Sequence, residues 1–464
     1  MGKKLGTTLF IFRRDLRIDD NIGLLFALEN SDVVIPCFIF TPEQIEKNSY
    51  RSDHCLRFMV ECLQDLNHQL QEQGSKLYLF QGKPAQIVYN CIIELKVNAI
   101  VVNRDYTPYS LTRDKEINNI AKKNQVNFFS FDDCLLCSPE EALKKDGKPY
   151  LVFTPFFRNM AQQKIPKPKT TRKKNYFYGK ISFATTDEIF ALLLQKYPSH
   201  NSLAGGRGQC IQILKNLSQF EAYSQHKDFP SKEYSTHLSP YLKFTVCSPR
   251  EIYWVFCSSL GKDHPLVRAL YWRDFFTIIA FFFPHIFRGA FYKKWDRLQW
   301  SSDKIKVTKW KMGKTGFPIV DAGMRELAKT GFIPNRIRMI TASFLVKDLH
   351  INWQVGEKYF AQTLVDYDPS VNNGNWQWIA GTGSASQPYF QIFNPWVQQK
   401  KFDPDCIYIK KFIPELEKIS STTIHHWYDK KYHTNNCKYP IPIIDHEKTS
   451  HKTCLLYTSP SPRD

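Results

Sequence analysis

The stretch that decides the fold is TTLFIF at residues 7–12, followed at once by RRDLR at residues 13–17. Short apolar runs of this kind recur through the first 135 residues and predict five buried strands. These strands are Thr7–Phe12, Val33–Phe40, Leu77–Gln81, Ala99–Asn103 and Phe128–Phe131. Helical periodicity separates them at Asp53–Gln73, Pro84–Leu95 and Ser110–Asn124. The alternation predicts a doubly wound α/β domain around a parallel sheet. No glycine-rich dinucleotide fingerprint follows the first strand.

The chain is strongly basic, with 63 Lys and Arg against 44 Asp and Glu and a formal charge of +19. Such a surplus favours a polyanionic partner such as DNA, RNA or an anionic membrane, although a generally basic protein without such a partner is the plain alternative. Aromatic residues make up 15% of the chain. Aromatic side chains fill cores by default, but they also stack on bases and on flavin rings.

The cysteines indicate a reducing environment. Of the twelve, only Cys134 and Cys137 form a CxxC pair, and no second pair has zinc or iron–sulfur spacing. We therefore expect no metal site. The amino terminus carries no apolar signal core, and the longest apolar run, Phe275–Phe283, is too short to cross a bilayer. The expectation is a soluble intracellular protein, in the cytoplasm or the nucleus, that does not enter membranes.

The amino-acid composition of the sequence changes after the α/β domain. Prolines and the basic run Lys164–Lys174 predict a long connector over residues 136–204, which a solvated linker explains better than a nuclear address or a phosphate-binding patch. From residue 205 onward long helical patterns dominate. They lie at Ser248–Leu260, Leu266–Phe283, Asp321–Lys329, Asn335–Leu349 and Gly356–Leu364. The predicted domains are therefore residues 1–135, the linker 136–204, a helical domain at 205–452 and a tail at 453–464.

A polar face on one predicted helix needs partners inside the protein. Asn335, Arg338 and Met339 stand at positions i, i+3 and i+4, so they share one side of the helix that begins at Asn335. Asp366 and Asp368 follow at the end of the next helix. A buried arginine paired with one of these carboxylates would satisfy both groups, and a purely structural salt bridge explains the pattern equally well.

The segment NNGNWQW at residues 372–378 places amides beside aromatics. Asn372 and Trp376 are four residues apart and can face one ligand from a single helical turn. Stacking faces with amide edges suit a planar heterocycle. Ordinary core packing of the tryptophans is the alternative.

Five motifs in order resemble the photolyase/cryptochrome family, with the class I cyclobutane pyrimidine dimer photolyases as the closest subgroup. The motifs are FRRDLR at 12–17, HLSPYL at 237–242, WRDF at 272–275, NRIRM at 335–339 and NGNWQW at 373–378. The resemblance extends from about Thr8 to about Lys452. It implies an amino-terminal α/β domain joined by a long linker to an all-helical domain that binds FAD.

The resemblance also implies a flavin site. Its cofactor-binding residues would be Tyr223, Lys227, Ser235, Thr236, Leu238, Ser239, Asn335, Arg338, Asp366, Asp368 and Asn372. In this assignment the Arg338–Asp366 pair lies beside the flavin, and Asn372 faces the flavin N5 position and tunes the ring. Light-driven reduction of the flavin would use the relay tryptophans Trp300, Trp353 and Trp376.

The resemblance places damaged DNA in a pocket that receives a flipped lesion. Its lining and its DNA contacts would be Trp272, Arg273, Asn335, Arg336, Met339 and Trp378. Two departures stand out. Ala269 replaces the Glu with which many class I relatives bind the dimer, so a water or a neighbour substitutes or binding is weaker. Ser110 replaces an acidic residue of folate-binding relatives, which leaves an antenna chromophore open among folate, deazaflavin and none.

These residues favour light-driven repair of cyclobutane dimers in UV-damaged DNA by a monomer, a deoxyribodipyrimidine photo-lyase. A cryptochrome photoreceptor is the first alternative, although only about a dozen residues follow the matched core where cryptochromes usually carry a long extension. A (6-4) photolyase is the second, but Asn335 and Met339 stand where that group places lesion histidines. The ending TSPSPRD after Cys454 is typical of translated non-coding or adaptor sequence.

Overall fold

A sheet of five parallel strands lies at the centre of the amino-terminal region of the computed structural model. The strands are β1 (Thr7–Phe12), β2 (Val33–Phe40), β3 (Tyr78–Gln81), β4 (Ala99–Asn103) and β5 (Asn127–Phe131), in the order β3-β2-β1-β4-β5. The predicted parallel sheet and the helical second half are confirmed. The structure describes residues 4–46, 48–197, 203–384, 391–433 and 437–458.

The strands form because their apolar side chains are buried on both faces of the sheet. Side chains of β1, β2 and β4 are almost completely inaccessible, and they pack in one core cluster with helices on either side. The strand order reverses between β1 and β4, since the chain leaves β1 toward β2 on one side and returns to β4 on the other. Ligands bind at such a switch point, outside the carboxyl ends of the strands.

The described residues form twenty-one α-helices. The first eleven are α1 (Ile22–Asn30), α2 (Pro42–Ile45), α3 (Asp53–Glu72), α4 (Pro84–Leu95), α5 (Pro108–Lys123), α6 (Phe153–Met160), α7 (Glu188–Lys196), α8 (Arg207–Lys215), α9 (Tyr223–His226), α10 (Ser239–Lys243) and α11 (Pro249–Leu260). The remaining ten are α12 (Pro265–Phe282), α13 (Lys304–Lys311), α14 (Pro318–Thr330), α15 (Asn335–Ser343), α16 (Trp353–Thr363), α17 (Pro369–Ala380), α18 (Pro395–Phe402), α19 (Ile407–Phe412), α20 (Ser421–His425) and α21 (His446–Thr458).

The chain divides into two compact units that differ from the predicted domains. The first comprises Met1–Gln219, His237–Pro284 and Val365–Ser370, and the second comprises Phe220–Thr236, His285–Leu364 and Val371–Asp464. Helices α10–α12 therefore belong with the sheet. The region predicted as a linker contains α6 and α7, so much of it is ordered secondary structure.

A buried ion network fixes α11 to the sheet in the first unit. Arg17 pairs with Asp133 at 2.6 Å, and Arg250 pairs with both Asp133 and Asp20 at 2.8 and 2.9 Å. All four side chains are almost fully buried. Burial alone would raise the pKa of Asp133, but the charges of the two arginines hold that pKa below its ordinary value. This network explains why RRDLR follows the first strand.

The helix predicted at Asn335–Leu349 is interrupted in the structure. Helix α15 ends at Ser343, and a π-helical turn occupies Phe344–Asp348. Lys347 and Asp348 lie within this turn, and both are buried. Burial lowers the pKa of Lys347 well below its ordinary value, and its Nζ donates to the Ala380 carbonyl at 3.3 Å.

Helix α21 runs across residue 453, where the tail was predicted to begin. The helix continues to Thr458 and buries Thr453, whose hydroxyl contacts the Lys347 carbonyl and lies 2.7 Å from His350 Nε2. The Tyr457 hydroxyl donates to the Ala380 carbonyl at 2.8 Å. The segment after Lys452 is therefore packed structure as far as it is described, and residues 459–464 lie outside the described residues.

Candidate functional site

Helix α17 carries Asn372 and Trp376 on one side, as the spacing predicts. Asn372 is 8% exposed, and its amide nitrogen donates to the Glu357 carbonyl at 3.0 Å. That bond fixes the orientation of the amide, so its oxygen is directed away from Glu357 as an acceptor. Trp376 is buried, and its ring meets Phe360 edge-on at 4.9 Å.

The other predicted relay tryptophans differ in burial. Trp353 begins α16 and is 3% exposed, whereas Trp300 is half-buried. Ser301, next to Trp300, forms a bridge with Ile351, and its amide donates to the His350 carbonyl at 2.7 Å. This bridge brings the segment of Trp300 to the beginning of α16, so Trp300 and Trp353 lie on neighbouring segments of the second unit.

Helix α15 presents the predicted polar residues at its amino-terminal end. Asn335 is exposed, and its amide nitrogen lies 3.7 Å from the sulfur of half-buried Met339. Arg338 donates from Nε to the Ile333 carbonyl at 2.9 Å. Arg336, which is predicted to contact DNA, pairs with Asp228 at 3.0 Å within its own unit.

The predicted phosphate-side residues follow α9. Tyr223 begins that helix and is half-buried, and desolvation raises its pKa. Lys227 is partly exposed, with its Nζ 3.7 Å from a carboxylate oxygen of Asp228. Ser235 and Thr236 are half-buried at the end of this segment of the second unit.

In the first unit, the segment Val365–Ser370 lies beside α10. The Ser239 hydroxyl donates to Asp366 at 2.6 Å, and Leu238 is buried at the amino-terminal cap of α10. Asp368 pairs at 2.5 Å with Arg14, whose guanidinium also contacts the Lys243 carbonyl. The sequence motifs therefore meet here, because FRRDLR and HLSPYL hold one loop from two sides.

The predicted lesion-pocket residues on α12 are closely packed. The Trp272 ring stacks on Phe153 at 3.6 Å with an interplanar angle of 6°. Arg273 is directed inward, where it contacts Asp274 and the Leu242 carbonyl, each at 3.3 Å. Burial raises the pKa of Asp274 to about 7, although Arg273 and two backbone amides act against that rise. Trp378, in the second unit, is half-buried on α17, and Ala269 is exposed on α12.

A cavity of about 530 Å³ opens at the switch point of the sheet. Its wall includes the residues that follow β1, β2 and β4, and Lys243 and Tyr367 close it from α10 and from the loop before α17. The volume is in the range of small-molecule and cofactor sites. All of its lining residues belong to the first unit.

Cationic side chains line this cavity. Nη2 of Arg13 and Nη2 of Arg113 are buried and have no hydrogen-bond partner among the described residues. Burial lowers the pKa of Lys243, which also lines the cavity. Ser110 donates to Asp105 at 2.9 Å, and although burial acts to raise the pKa of Asp105, the charges of Arg14 and Arg113 lower that pKa below its ordinary value. The wall therefore offers donors to an anion or to carbonyl oxygens of a ligand.

Two family models match the chain. One, described as DNA photolyase, matches residues 8–173, and the other, described as FAD binding domain of DNA photolyase, matches residues 266–459. The deoxyribodipyrimidine photo-lyase of Alkalihalophilus pseudofirmus is 34% identical over 98% of this chain and 99% of its own length. The chain belongs to the DNA photolyase family.

Solved structures of the family agree with this membership. An archaeal photolyase from Sulfolobus tokodaii, solved with two FAD molecules, is 37% identical with a TM-score of 0.88, covering 97% of this chain and 99% of that one. A cryptochrome from Synechocystis is 25% identical with a TM-score of 0.85, covering 98% of this chain and all of its own. The cofactor of the family's helical domain is FAD.

The residues of this photolyase-family chain fit FAD. Asn372 has a fixed amide, which can address one edge of a planar ring. Hydroxyl groups at Ser235, Thr236 and Ser239 and the cation of Lys227 suit phosphates.

Sequence reasoning missed several residues of this family member's site. The Trp310 ring is completely buried, and its centroid lies 6.3 Å from that of the Trp376 ring. The sequence around Trp310 is typical of a residue that packs in a helical core. Phe153 was assigned to the linker, although it stacks on Trp272. Arg14 belonged to a recognised motif, but its partner Asp368 is 354 positions away and no local pattern indicates it. Among the described residues, no group of three or more His, Cys, Asp or Glu could hold a metal ion.

Proposed function

We propose that this chain repairs cyclobutane pyrimidine dimers in UV-damaged DNA, driven by light. The observation that carries the proposal is the end-to-end relation to proteins named deoxyribodipyrimidine photo-lyase, at 34% identity over 98% of the chain, with a matching FAD-binding domain. The enzyme is a carbon–carbon lyase. FAD bound in its reduced form would supply light-driven electron transfer to the dimer, and the residues of this chain would bind and orient it.

The protein orients the flavin and excludes water from the path of electron transfer. Asn372, fixed by Glu357, presents an acceptor to the flavin edge and tunes which reduced form persists. Trp376, buried beside Phe360, takes the inner position of the relay, with Trp353 and then half-buried Trp300 outside it. No acid–base pair is needed, because the reaction moves an electron and not a proton.

The lesion must leave the duplex to reach this site. In the first unit, we expect Trp272, whose ring stacks on Phe153 and Phe276, to contribute apolar surface to the contact with the lesion. In the second unit, we expect Trp378, Asn335 and Met339 to contact the lesion. Arg273 and Arg336 remain predicted DNA contacts, and each also pairs with a carboxylate of its own unit.

Cofactor content gives a first test. Purified protein should carry about one noncovalent FAD per chain by absorbance, released by heat. Apoprotein that neither contains FAD nor binds added FAD would remove the basis of the proposal. The identity of the lesion is tested separately in the Discussion.

We also propose that the switch-point cavity binds a second planar chromophore of the flavin or deazaflavin class. Its volume, the cationic side chains of Arg13, Arg113 and Lys243 in its wall, and the two FAD molecules of the Sulfolobus tokodaii relative support this choice over folate. Arg113→Gln should lose the second chromophore and keep the first. The chromophores are extracted from the wild type and from the Arg113→Gln variant, separated by chromatography and quantified. A second chromophore retained at full occupancy in the variant would argue against the cavity as its binding site.

We propose that the chain acts as a monomer inside the cell. All twelve cysteines are free and most are buried, which suits a reducing compartment. In the part of the chain that the structure describes, none of the helices is long and apolar enough to span a bilayer. Sedimentation at equilibrium measures the mass, and a dimer would contradict the proposal.

A further inference from the structure

The run Lys164–Lys174, which we call the basic strip, is the most concentrated positive charge in the connecting region. Its eleven residues, KIPKPKTTRKK, include six basic residues and no acidic one. All six basic side chains are exposed. The strip belongs to the first unit, and the flavin chemistry makes no use of it.

The strip is held against the first unit at several points. The amide of Asp20 donates to the Lys169 carbonyl, and the Lys169 amide donates to the Asp20 carboxylate, both at 2.8 Å. Ile165 is 3% exposed. The Trp254 indole nitrogen donates to the Pro166 carbonyl at 3.0 Å. A segment fixed in this way loses little conformational entropy when it binds a partner.

The charges of the strip are not neutralised by the protein. Within the described residues, no ion pair joins a carboxylate to any of its basic side chains, whereas many other arginines of the first unit are paired. Lys167 lies with its Nζ 3.4 Å above the Trp254 ring, and Lys173 donates to the Glu29 carbonyl. Neither contact cancels charge. The anchors thus fix the backbone and leave the cations to solvent.

The strip starts near the proposed lesion pocket in the chain. Three residues separate the end of α6 from Lys164, the first residue of the strip. Helix α6 begins with Phe153, which stacks on Trp272. Helix α6 also packs against α12 through Phe156 and Phe275, with ring centroids 5.4 Å apart. The pocket tryptophan and the start of the strip are therefore joined through one short helix of one unit.

We propose that the basic strip is a second DNA-binding surface, which contacts backbone phosphates of the duplex that flanks the lesion. The inference rests on the proposed function for its choice of DNA as the polyanion. A run of exposed, unpaired cations on an anchored backbone can neutralise backbone phosphates and carries no sequence preference. The strip adds affinity and a steep salt dependence, whereas the flipped lesion gives selectivity.

The test is the salt dependence of binding by the purified holoenzyme. The strip variant Lys164→Gln/Lys169→Gln/Lys174→Gln removes three cations whose side chains make no structural contact. On a dimer-containing duplex of about 30 base pairs, wild-type affinity should fall about 40-fold more than the variant's between roughly 50 and 200 mM salt, if all three contact phosphates. On a dimer-containing single strand of about six nucleotides, the two proteins should bind equally.

Two matched variants complete the test. Lys115→Gln/Lys122→Gln/Lys123→Gln removes the same charge from exposed positions of α5 and should leave duplex binding near wild type. The strip triple with Arg in place of Gln should restore binding. Equal losses in the α5 and strip variants, or equal losses on short and long DNA, would overturn the proposal. So would loss of binding to phosphatidylserine vesicles by the strip variant with DNA binding unchanged. Failure of the proposed function would appear instead as wild-type protein that does not repair even the short strand in light.

Discussion

At the scale of single residues, the environment of Trp376 bears most directly on the chemistry. Its indole is 2% exposed and lies between Phe360 and Trp310, with ring centroids 4.9 and 6.3 Å away. Water cannot reduce an indole radical at such a position, so an electron must arrive through another aromatic ring. Trp353 and Trp300 are the proposed electron donors. Trp310 also neighbours Trp376, but its side chain is completely buried in the core.

Trp376→Phe should abolish light-driven reduction of oxidised flavin and leave repair by chemically reduced enzyme intact. The phenyl ring keeps the apolar packing but is much harder to oxidise than indole. Absorbance of the flavin under blue light measures the reduction. Trp310→Phe is the matched control and should keep photoreduction. Normal photoreduction in the Trp376 variant would place the relay elsewhere.

Arg273→Ala should act mainly on stability. Removing the guanidinium leaves the Asp274 carboxylate buried with no cation, which costs about 3 to 5 kcal/mol of the free energy of unfolding. Urea denaturation measures the loss. Arg268→Ala is the control, because that exposed side chain only covers Phe153 and Phe157 and should cost no more than about 1 kcal/mol. If the Arg273 variant unfolds at the wild-type urea concentration, Arg273 does not stabilise the fold in this way, and DNA contact remains its proposed role.

The sequence pattern predicted which candidate residues share a helix, but it did not predict which side chains form ion pairs. The four-residue spacing of Asn372 and Trp376 was enough to place them together on α17. The partner of Asp368 is Arg14, which only the folded chain brings near. Long-range pairs of this kind leave no periodic signal, so local sequence reasoning could not find them.

At the scale of elements, buried strands and amphipathic helices were predictable because their side-chain periods are regular. Strands β1, β2 and β4 have the predicted bounds. The π-helical turn after α15 was not predictable, since its cause is the burial of Lys347 and Asp348 against other elements. The ordered path of the basic strip was missed for the same reason, because Asp20 and Trp254 fix it from distant positions.

Removal of residues 453–464 should destabilise the second unit. It deletes the Thr453 hydroxyl bonds and the Tyr457 contact with Ala380, which together contribute roughly 2 to 4 kcal/mol. Thermal unfolding should show the lower midpoint. Removal of residues 459–464 alone is the control and should leave the midpoint unchanged. Equal midpoints for both truncations would mean that the end of α21 adds nothing to the fold.

At the scale of the whole molecule, the chain combines a unit built on a parallel sheet with a second, helical unit. The net charge of +19 favours DNA over any neutral partner. The alternation of strands and helices predicted this architecture. The division into units was less predictable, because α10–α12 join the sheet through the buried pairs of Arg250.

Lesion choice tests the central claim most directly. Splitting a cyclobutane ring needs an electron, whereas repair of a (6-4) product also transfers a hydroxyl group and needs a proton donor beside the lesion. Asn335 and Met339 cannot serve as that donor. Reduced holoenzyme under blue light should therefore restore oligonucleotides that contain a cyclobutane dimer and leave matched (6-4) oligonucleotides unchanged. Restoration of the (6-4) oligonucleotides, or persistence of the dimers, would contradict the assignment.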